Sequence, residues 1–459
     1  MDTPESHIAR ACLDAYAALP KGGGKPQKRS NGRNEWTILA GCVLETHPSK
    51  FTVIALGTGV KCTPYERISP HGDVLNDCHA EIICRRGARV WLLDRLLAEI
   101  SSDDIIIDDI PRIFHIANGS HAPVQYSLQQ HVHLHLYIST LPCGEASSIA
   151  LYARHTLEDG HKSLYPHPAH VPRLIRGRIR PDIETSECIL RTKPGRRDAP
   201  PSISMSCSDK ILVWNAIGIQ GAFLSSWLTS IFLTSVVISM PQETHMGIHQ
   251  KEYESKCVWA LNYRGSSLHN HKLKVSFVSI CFPDSRESVE LRTHQEYGVA
   301  QADENWSKVE PEPCAASILW VPGYKMESLL GGVKLGASTK RKNGGPLPAS
   351  SWSMICKRAW FLKLIRSQKV LNEPYYSLSY YESKHPLHAS GRQHYIKAYQ
   401  SEKSQLRGNT DSKTRISLFL EQIHKDPEHE SMASPSASDA PLAAWLVTPR
   451  KWTDFIVEG

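Results

Sequence analysis

The sequence predicts a mixed α/β core followed by a helical annex. Stretches rich in β-branched residues alternate with helically periodic ones as far as residues 315–323. The last third instead carries two Lys- and Arg-rich helical patterns, 350–370 and 393–407. The 459 residues, 41% hydrophobic and 22% charged, suffice for a sizeable packed core and exclude wholesale disorder.

Taken in order, residues 5–19 repeat Ile8, Ala11, Cys12, Tyr16 and Leu19 at helical spacing. Residues 21–33 (KGGGKPQKRSNGR) hold basic residues and no acid. They read as a flexible basic loop, equally a solvated linker or a phosphate-backbone contact. Residues 35–62 predict a β-hairpin turning at THPSK. Asn76 or Asp77 is placed to cap a helix through CHAEIICRRGARVWLLDRLLAEI. Residues 101–130 read as a loop or variable insert. HVHLHLYIST (131–140) alternates as a strand with His131, His133 and His135 on one face, read as a polar face turned outward rather than a metal site. After Pro142, CGEASSIALYARH predicts a helix, and 158–203 reads as loop.

Residues 211–242 carry no charge and are long enough to span a bilayer. Asn215, Gln220 and a run of Ser and Thr within them favour a buried helix followed by a buried strand, so no membrane association is expected. CVWALNYRG, VSFVSICF and AASILWVPG predict further strands, and 428–441 a low-complexity loop.

Twelve cysteines are too sparse for a disulfide scaffold, and the N-terminal residues lack an apolar signal core. A reducing, intracellular compartment is expected, nuclear or cytoplasmic, with the cysteines acting as thiols, metal ligands or core residues. The formal charge of +7 is compatible with a polyanionic partner without requiring one.

The chemistry concentrates at His79-Ala80-Glu81 and Pro142-Cys143. The pattern H-x-E…P-C-x-x-C belongs to zinc deaminases. Catalytic zinc takes three protein ligands and leaves one position for water. A carboxylate that is not a ligand must then move a proton from that water to the leaving amine. Glu81 suits this role. The second cysteine of C-x-x-C is replaced by Ala146, so a second thiolate must be distant. Cys207 is the best candidate, because Ser206, Ser208 and Asp209 mark a helix start that favours a thiolate. The competing reading is that these cysteines are core residues.

LNDCHAEIICRRG, LPCGEAS, LRTK and MSCSDK…WN…GIQG together resemble the deaminase domain of RNA adenosine deaminases, from Ile8 through Trp445. This family has a double-stranded-RNA editing branch and a tRNA-specific adenosine deaminase 1 branch. The resemblance implies a cytidine-deaminase-like mixed sheet flanked by helices. It implies one domain over 1–459, with variable inserts near 101–130 and 158–190. It implies zinc on His79, Cys143 and Cys207, with Glu81 as proton shuttle. It further implies a helical annex around a buried inositol hexakisphosphate. The matching residues are Asn76, Arg85, Arg86, Lys210, Trp214, Lys357, Tyr380, Lys384, Tyr399, Lys403 and Trp445. Asp77 and Lys193 match a polar relay between the two sites. Without the resemblance, each of these basic residues would read as a solvated surface charge; convergent in a core, they would demand a polyanion.

The sequence also departs from the family. Val213 stands where the editing branch carries an arginine, and Ala222 replaces a serine. Val60 replaces a threonine near the target ribose, and the LRTKPGRRDAP loop lacks a glycine-rich segment. The early start of the domain, the N-terminal helix, KGGGKPQ and EWTILAG resemble the tRNA branch, and Val60 and the short loop fit its substrate; members of that branch convert the adenosine 3′ of the anticodon of alanine tRNA to inosine. Lys61 is expected at the substrate, and 21–33 with 340–342 along the tRNA backbone. No obligate protein partner is evident. The rivals are a double-stranded-RNA deaminase and a non-catalytic tRNA-binding scaffold that retains zinc; the presence of Glu81 argues against the latter.

Overall fold

The computed structural model describes residues 3–457 except 49, 103, 105, 118–122, 149–172, 178–188, 196–198, 241–249, 265–270, 300–303, 372–378, 388–389, 408–430, 434–441 and 443–444. Helix α1, Pro4–Ala18, starts where the Thr3 hydroxyl accepts the Ser6 N–H and Pro4 opens the first turn. Strands β1 (Leu39–His47) and β2 (Lys50–Thr58) form the expected hairpin. After Gly59, at φ 133°, the chain leaves this sheet as β3, Val60–Cys62, which pairs with β4, Asp77–His79. The expected cap shifts accordingly: Asp77 lies in a strand, and His79 is the N-cap of α2, Ala80–Ser101. Asp77 still accepts the His79 N–H, at 3.1 Å.

The following strands are β5 (His133–Ile138), β6 (Ile189–Thr192), β7 (Ser235–Ser239), β8 (Lys274–Val278), β9 (Ala316–Trp320), β10 (Glu327–Leu330) and β11 (Val333–Lys334). Eight of these strands make one mixed sheet, in the order β8-β7-β5-β1-β2-β9-β10-β11. The pairs β5·β7 and β7·β8 are parallel and the others antiparallel. Helix α1 covers one face through Ile8, Ala9, Cys12 and Tyr16; α2 covers the other through Ile83, Cys84, Ala88 and Leu92. Gly57 permits the second contact, since a Cβ there would lie 2.5 Å from the Ala80 carbonyl oxygen and 2.6 Å from the Cys84 nitrogen.

The uncharged stretch folds as expected into helix α3 (Cys207–Ile217), the short α4 (Gly221–Leu224) and β7. Among the described residues no helix is long and apolar enough to cross a membrane. Residues 257–262, expected as strand, instead finish helix α5, Gln250–Asn262. Cys257, Ala260 and Leu261 form its buried stripe, and its first turns are polar, which hid the helical period. Helices α6 (Arg286–Tyr297), α7 (Lys357–Val370), α8 (Tyr380–Lys384) and α9 (Gln393–Arg407) follow, the last three in the expected annex.

The presumed loop at 101–130 contains two strand pairs, Ile106–Ile107 with Ile110–Pro111 and Phe114–Ile116 with Tyr126–Leu128. Asp108 and Asp109 turn the first at φ 51° and 59°, values that short polar side chains tolerate. The helix expected after Cys143 is a single 3₁₀ turn, Glu145–Ser147, within the described residues. Much of 158–190 and 428–441 lies outside them. The described parts hold Arg173–Arg176, which pairs with β6 and with Ser431–Ala433.

Two further corrections concern polar residues. His135 is buried under α1 rather than outward, with Nδ1 on Ser235 Oγ (2.8 Å) and Nε2 on Glu45 (3.0 Å). The basic loop is fastened to the fold. Lys25 donates to the Tyr16 and Leu19 carbonyls, Arg29 pairs with Glu35 and Glu312, and Arg33 with Glu312.

Candidate active site

Three segments converge below the edge of α2. The β3·β4 pairing sets Val60 opposite His79 and Lys61 opposite Cys78, so Lys61 stands exposed one residue from the site. It lines a second cavity, of about 580 Å³, with Cys78, Ser317 and Arg341. Of the 340–342 segment, Arg341 is committed to Asp73 and Ser69, while Lys340 is exposed.

His79 ends β4, and Glu81 follows in the first turn of α2, which is how i and i+2 residues come to share a site. Cys143 follows β5 after Pro142. Cys207 opens α3, where the Ser206 hydroxyl accepts the Asp209 N–H. Gly144, at φ 105°, lets these segments touch: a Cβ there would lie 2.2 Å from Ser206 Oγ.

The Cys207 N–H points at Cys143 Sγ, 3.3 Å away. The Cys143 side chain also meets His79 and Cys207. His79 Nδ1 sits 2.9 Å from Asp77 Oδ1, leaving Nε2 as the nitrogen available to a metal. Asp77 in turn receives Lys193 at 2.8 Å and Lys210 at 2.5 Å, and Lys193 reaches Cys207 Sγ at 3.1 Å. Asp77 thus joins His79 to Lys193 and Lys210 in one hydrogen-bonded chain.

These contacts set the charges. The hydrogen bond from Cys207, with Lys193 and His79 beside it, holds the Cys143 thiol well below its usual value despite burial. Burial and Lys193 act to lower the His79 value, but Asp77 overrides them and raises it to about 9. Burial, reinforced by Cys143, raises the Glu81 carboxyl. Glu81 is 2% exposed, and its Oε2 has no hydrogen-bond partner.

Among the described residues no group of three or more His, Cys, Asp or Glu side chains stands in an arrangement that could hold a metal ion. One imidazole braced by a carboxylate, two adjoining thiols and an orphaned glutamate oxygen are nevertheless the donor set and the proton carrier that a three-ligand zinc centre uses.

Beside this site lies a cavity of about 500 Å³. Every side chain that the resemblance assigned to a polyanion, from Asn76 to Trp445, lines it. The convergence is strongly cationic, and Asp77 is the one carboxylate on the wall among the described residues. Burial pulls Lys357 down to about 7 and Lys403 well below its usual range. Arg89 and Arg407 line it too and escaped the sequence reading. Each lies four residues after an assigned base, Arg85 and Lys403, hence on the same helix face; that spacing was the available signal. Arg85, Arg89 and Arg407 stack on Trp214, Trp360 and Trp445, and their Nε atoms are buried without hydrogen-bond partners. Val213 adds no charge to this wall, and Arg89 adds one. A buried cluster in which cations far outnumber carboxylates among the described lining residues fits a polyanion.

A family model described as the adenosine-deaminase (editase) domain matches residues 55–414. The chain belongs to the adenosine-deaminase (editase) family. It is 36% identical over 224 residues to a tRNA-specific adenosine deaminase 1 of Drosophila melanogaster, covering 47% of this chain and 50% of that one. Similarity to the same-named protein of Schizosaccharomyces pombe is 36% over 236 residues, covering 50% and 56%. A double-stranded RNA-specific editase, Adar, of Drosophila melanogaster is 33% identical over 260 residues, covering 54% and 35%. The chain thus spans about half the length, or less, of these relatives. The family match encloses His79, Glu81, Cys143, Cys207 and the cavity bases through Arg407.

Proposed function

We infer that this editase domain hydrolyses adenosine to inosine in tRNA, at the adenosine 3′ of the anticodon of alanine tRNA. The observation that carries the reaction is Glu81: a buried carboxyl with a raised affinity for its proton and a partnerless Oε2, next to His79, Cys143 and Cys207. Those three residues would hold zinc, which when bound polarises a water and makes it acidic near neutral pH. Glu81 takes the water proton at Oε2 and later delivers a proton to the departing amine at C6 of adenine. Asp77 orients His79 through Nδ1, and Lys193 holds Asp77 in place. Lys61 is positioned to meet a phosphate or the target nucleotide. The cationic cavity would hold inositol hexakisphosphate as a structural polyanion. The tRNA assignment is supported by the tRNA-specific names of two relatives and by Val60 and the short LRTKPGRRDAP loop (190–200), which suit an already unstacked anticodon loop.

The test incubates purified protein with unmodified alanine tRNA and sequences the product. Inosine at that single adenosine is expected. Faster conversion of a long RNA duplex would overturn the tRNA assignment in favour of the editing branch, and tRNA binding with zinc but no inosine would favour a scaffold. Glu81→Ala is expected to retain zinc and lose turnover; inosine formation by this variant would remove Glu81 from the mechanism.

A further inference from the structure

Beneath the two cysteine segments lies an ion cluster that the mechanism above does not use. Glu145 follows Cys143 by two residues, and Asp209 follows Cys207 by two. Both are 0% exposed. Three buried cations grip them. Lys256 of α5 lies 2.7 Å from Glu145, and Arg191 of β6 lies 2.9 Å from it. Arg264, two residues past α5, lies 2.7 Å from Asp209. The Arg191 N–H also donates to Asp209, at 2.9 Å, and Arg264 donates to the Ile189 carbonyl, at 2.6 Å. The segments are then tied directly: the Ser208 N–H donates to the Cys143 carbonyl (3.0 Å), and the Ala146 N–H to Ser208 Oγ (3.1 Å).

Stability alone is a poor account of this cluster. Well-packed apolar side chains in place of a buried ion network are often as stable or more so. What ions provide and apolar packing does not is fixed direction and separation. Here one helix and its C-terminal extension, α5 through Arg264, hold a carboxylate on each cysteine segment.

We propose that Lys256 and Arg264 are positioning residues of the metal centre: through Glu145 and Asp209 they set the distance and orientation of the Cys143 and Cys207 thiols. The proposal rests on the zinc reading above, and it concerns residues that touch neither metal nor substrate. The same clamp explains why the second thiolate can reside sixty-odd residues from Cys143, on a separate helix, without the C-x-x-C spacing. The short loop of a C-x-x-C fixes two thiolates covalently; here the clamp fixes them through ions.

The experiment titrates cobalt(II) into full-length, metal-stripped protein. It records the thiolate-to-cobalt charge-transfer band and the visible bands of a four-coordinate ion, and measures kcat and KM after zinc loading. In Lys256→Met, cobalt affinity is expected to fall about 10–100-fold with altered bands. In the zinc-loaded variant kcat drops while KM holds. Lys256→Arg should restore both. Arg264→Lys, which keeps the charge and loses the fork, serves as the gentler second variant if Lys256→Met fails to fold. A merely structural role would lower the melting temperature and leave cobalt affinity and spectrum unchanged, and that result in folded variants would overturn the proposal. Absence of the charge-transfer band in the unmodified protein would overturn the zinc reading itself and the clamp with it, so the two failures are distinguishable.

Discussion

A carboxylic acid buried to 2% exposure beside a sulfur gives up its proton reluctantly, and Glu81 is such a group. A proton carrier that must both accept and release works best with an affinity above that of an ordinary carboxylate. Its loss should therefore lower kcat by about 10²–10⁴-fold, the usual range for general acid–base catalysis, with metal content by elemental analysis unchanged. Asp77 plays a different part. It is the common partner of His79, Lys193 and Lys210, and the two lysines hold its carboxyl well below the usual range against its burial. Asp77→Asn would leave Lys193, itself 2% exposed, without its counter-ion. We expect a stability loss of roughly 3–5 kcal/mol by chemical denaturation, because breaking a buried pair strands a charge. Both residues were legible as candidates in the sequence, Glu81 through H-x-E and Asp77 through the resemblance. Arg89 and Arg407 were not, because a lone arginine in an amphipathic helix looks the same whether it faces water or a cavity.

At the scale of elements, the contact of α2 with β2 sets where Glu81 lies. It depends on Gly57, whose absent side chain makes room for the helix backbone at Ala80 and Cys84. Gly57→Ala forces that backbone outward. The expected cost is roughly 1–3 kcal/mol, read as a lower melting temperature, together with reduced turnover because His79 and Glu81 ride on the displaced segment. Most elements announced themselves by period: α1, the β1–β2 hairpin, α2, β5 and α9 fall where spacing put them, while α7 starts at Lys357 rather than at residue 350, behind a 3₁₀ turn at Ala349–Ser351. The failures have local causes. In α5 the apolar run CVWAL imitated a strand, because the polar turns that begin the helix precede it. At 106–111 two aspartates in left-handed conformation made a hairpin where composition suggested a loop. The burial of His135 depends on α1 crossing above β5, a tertiary fact that alternation along one strand does not carry.

For the whole molecule, the cationic cavity makes stability depend on pH. Lys357 falls from an ordinary 10.5 to about 7 on folding when no anion is bound. Between those values the unfolded chain binds more protons than the folded one, so stability must rise with pH across that window. Anion-stripped protein is therefore expected to be least stable below about pH 7 and to gain stability up to about pH 10. Protein loaded with inositol hexakisphosphate, its lysines paired, should lack that rise; melting curves across pH with and without the anion test this. Arg89→Met gives the complementary check. Removing one buried cation should leave stripped protein as stable or more so, yet shrink the stabilisation that the polyanion confers. Equal gains in parent and variant would remove Arg89 from the site.

The order in which the cavity wall is supplied along the chain has a consequence for biosynthesis. Its residues run from Asn76 on the approach to α2 to Thr453 near the last described segment, whereas His79, Glu81, Cys143 and Cys207 are all present once residue 207 has been made. A nascent polypeptide thus carries Arg85, Arg86 and Arg89 long before Lys357, Lys403 and Trp445 emerge to complete the cavity wall. During that interval the like charges of α2 lack the later part of their enclosure, and the polyanion proposed above would serve as a template for the final collapse. Starving a translation extract of inositol phosphates should then leave a protease-sensitive chain of full length, which late addition of the anion rescues only in part.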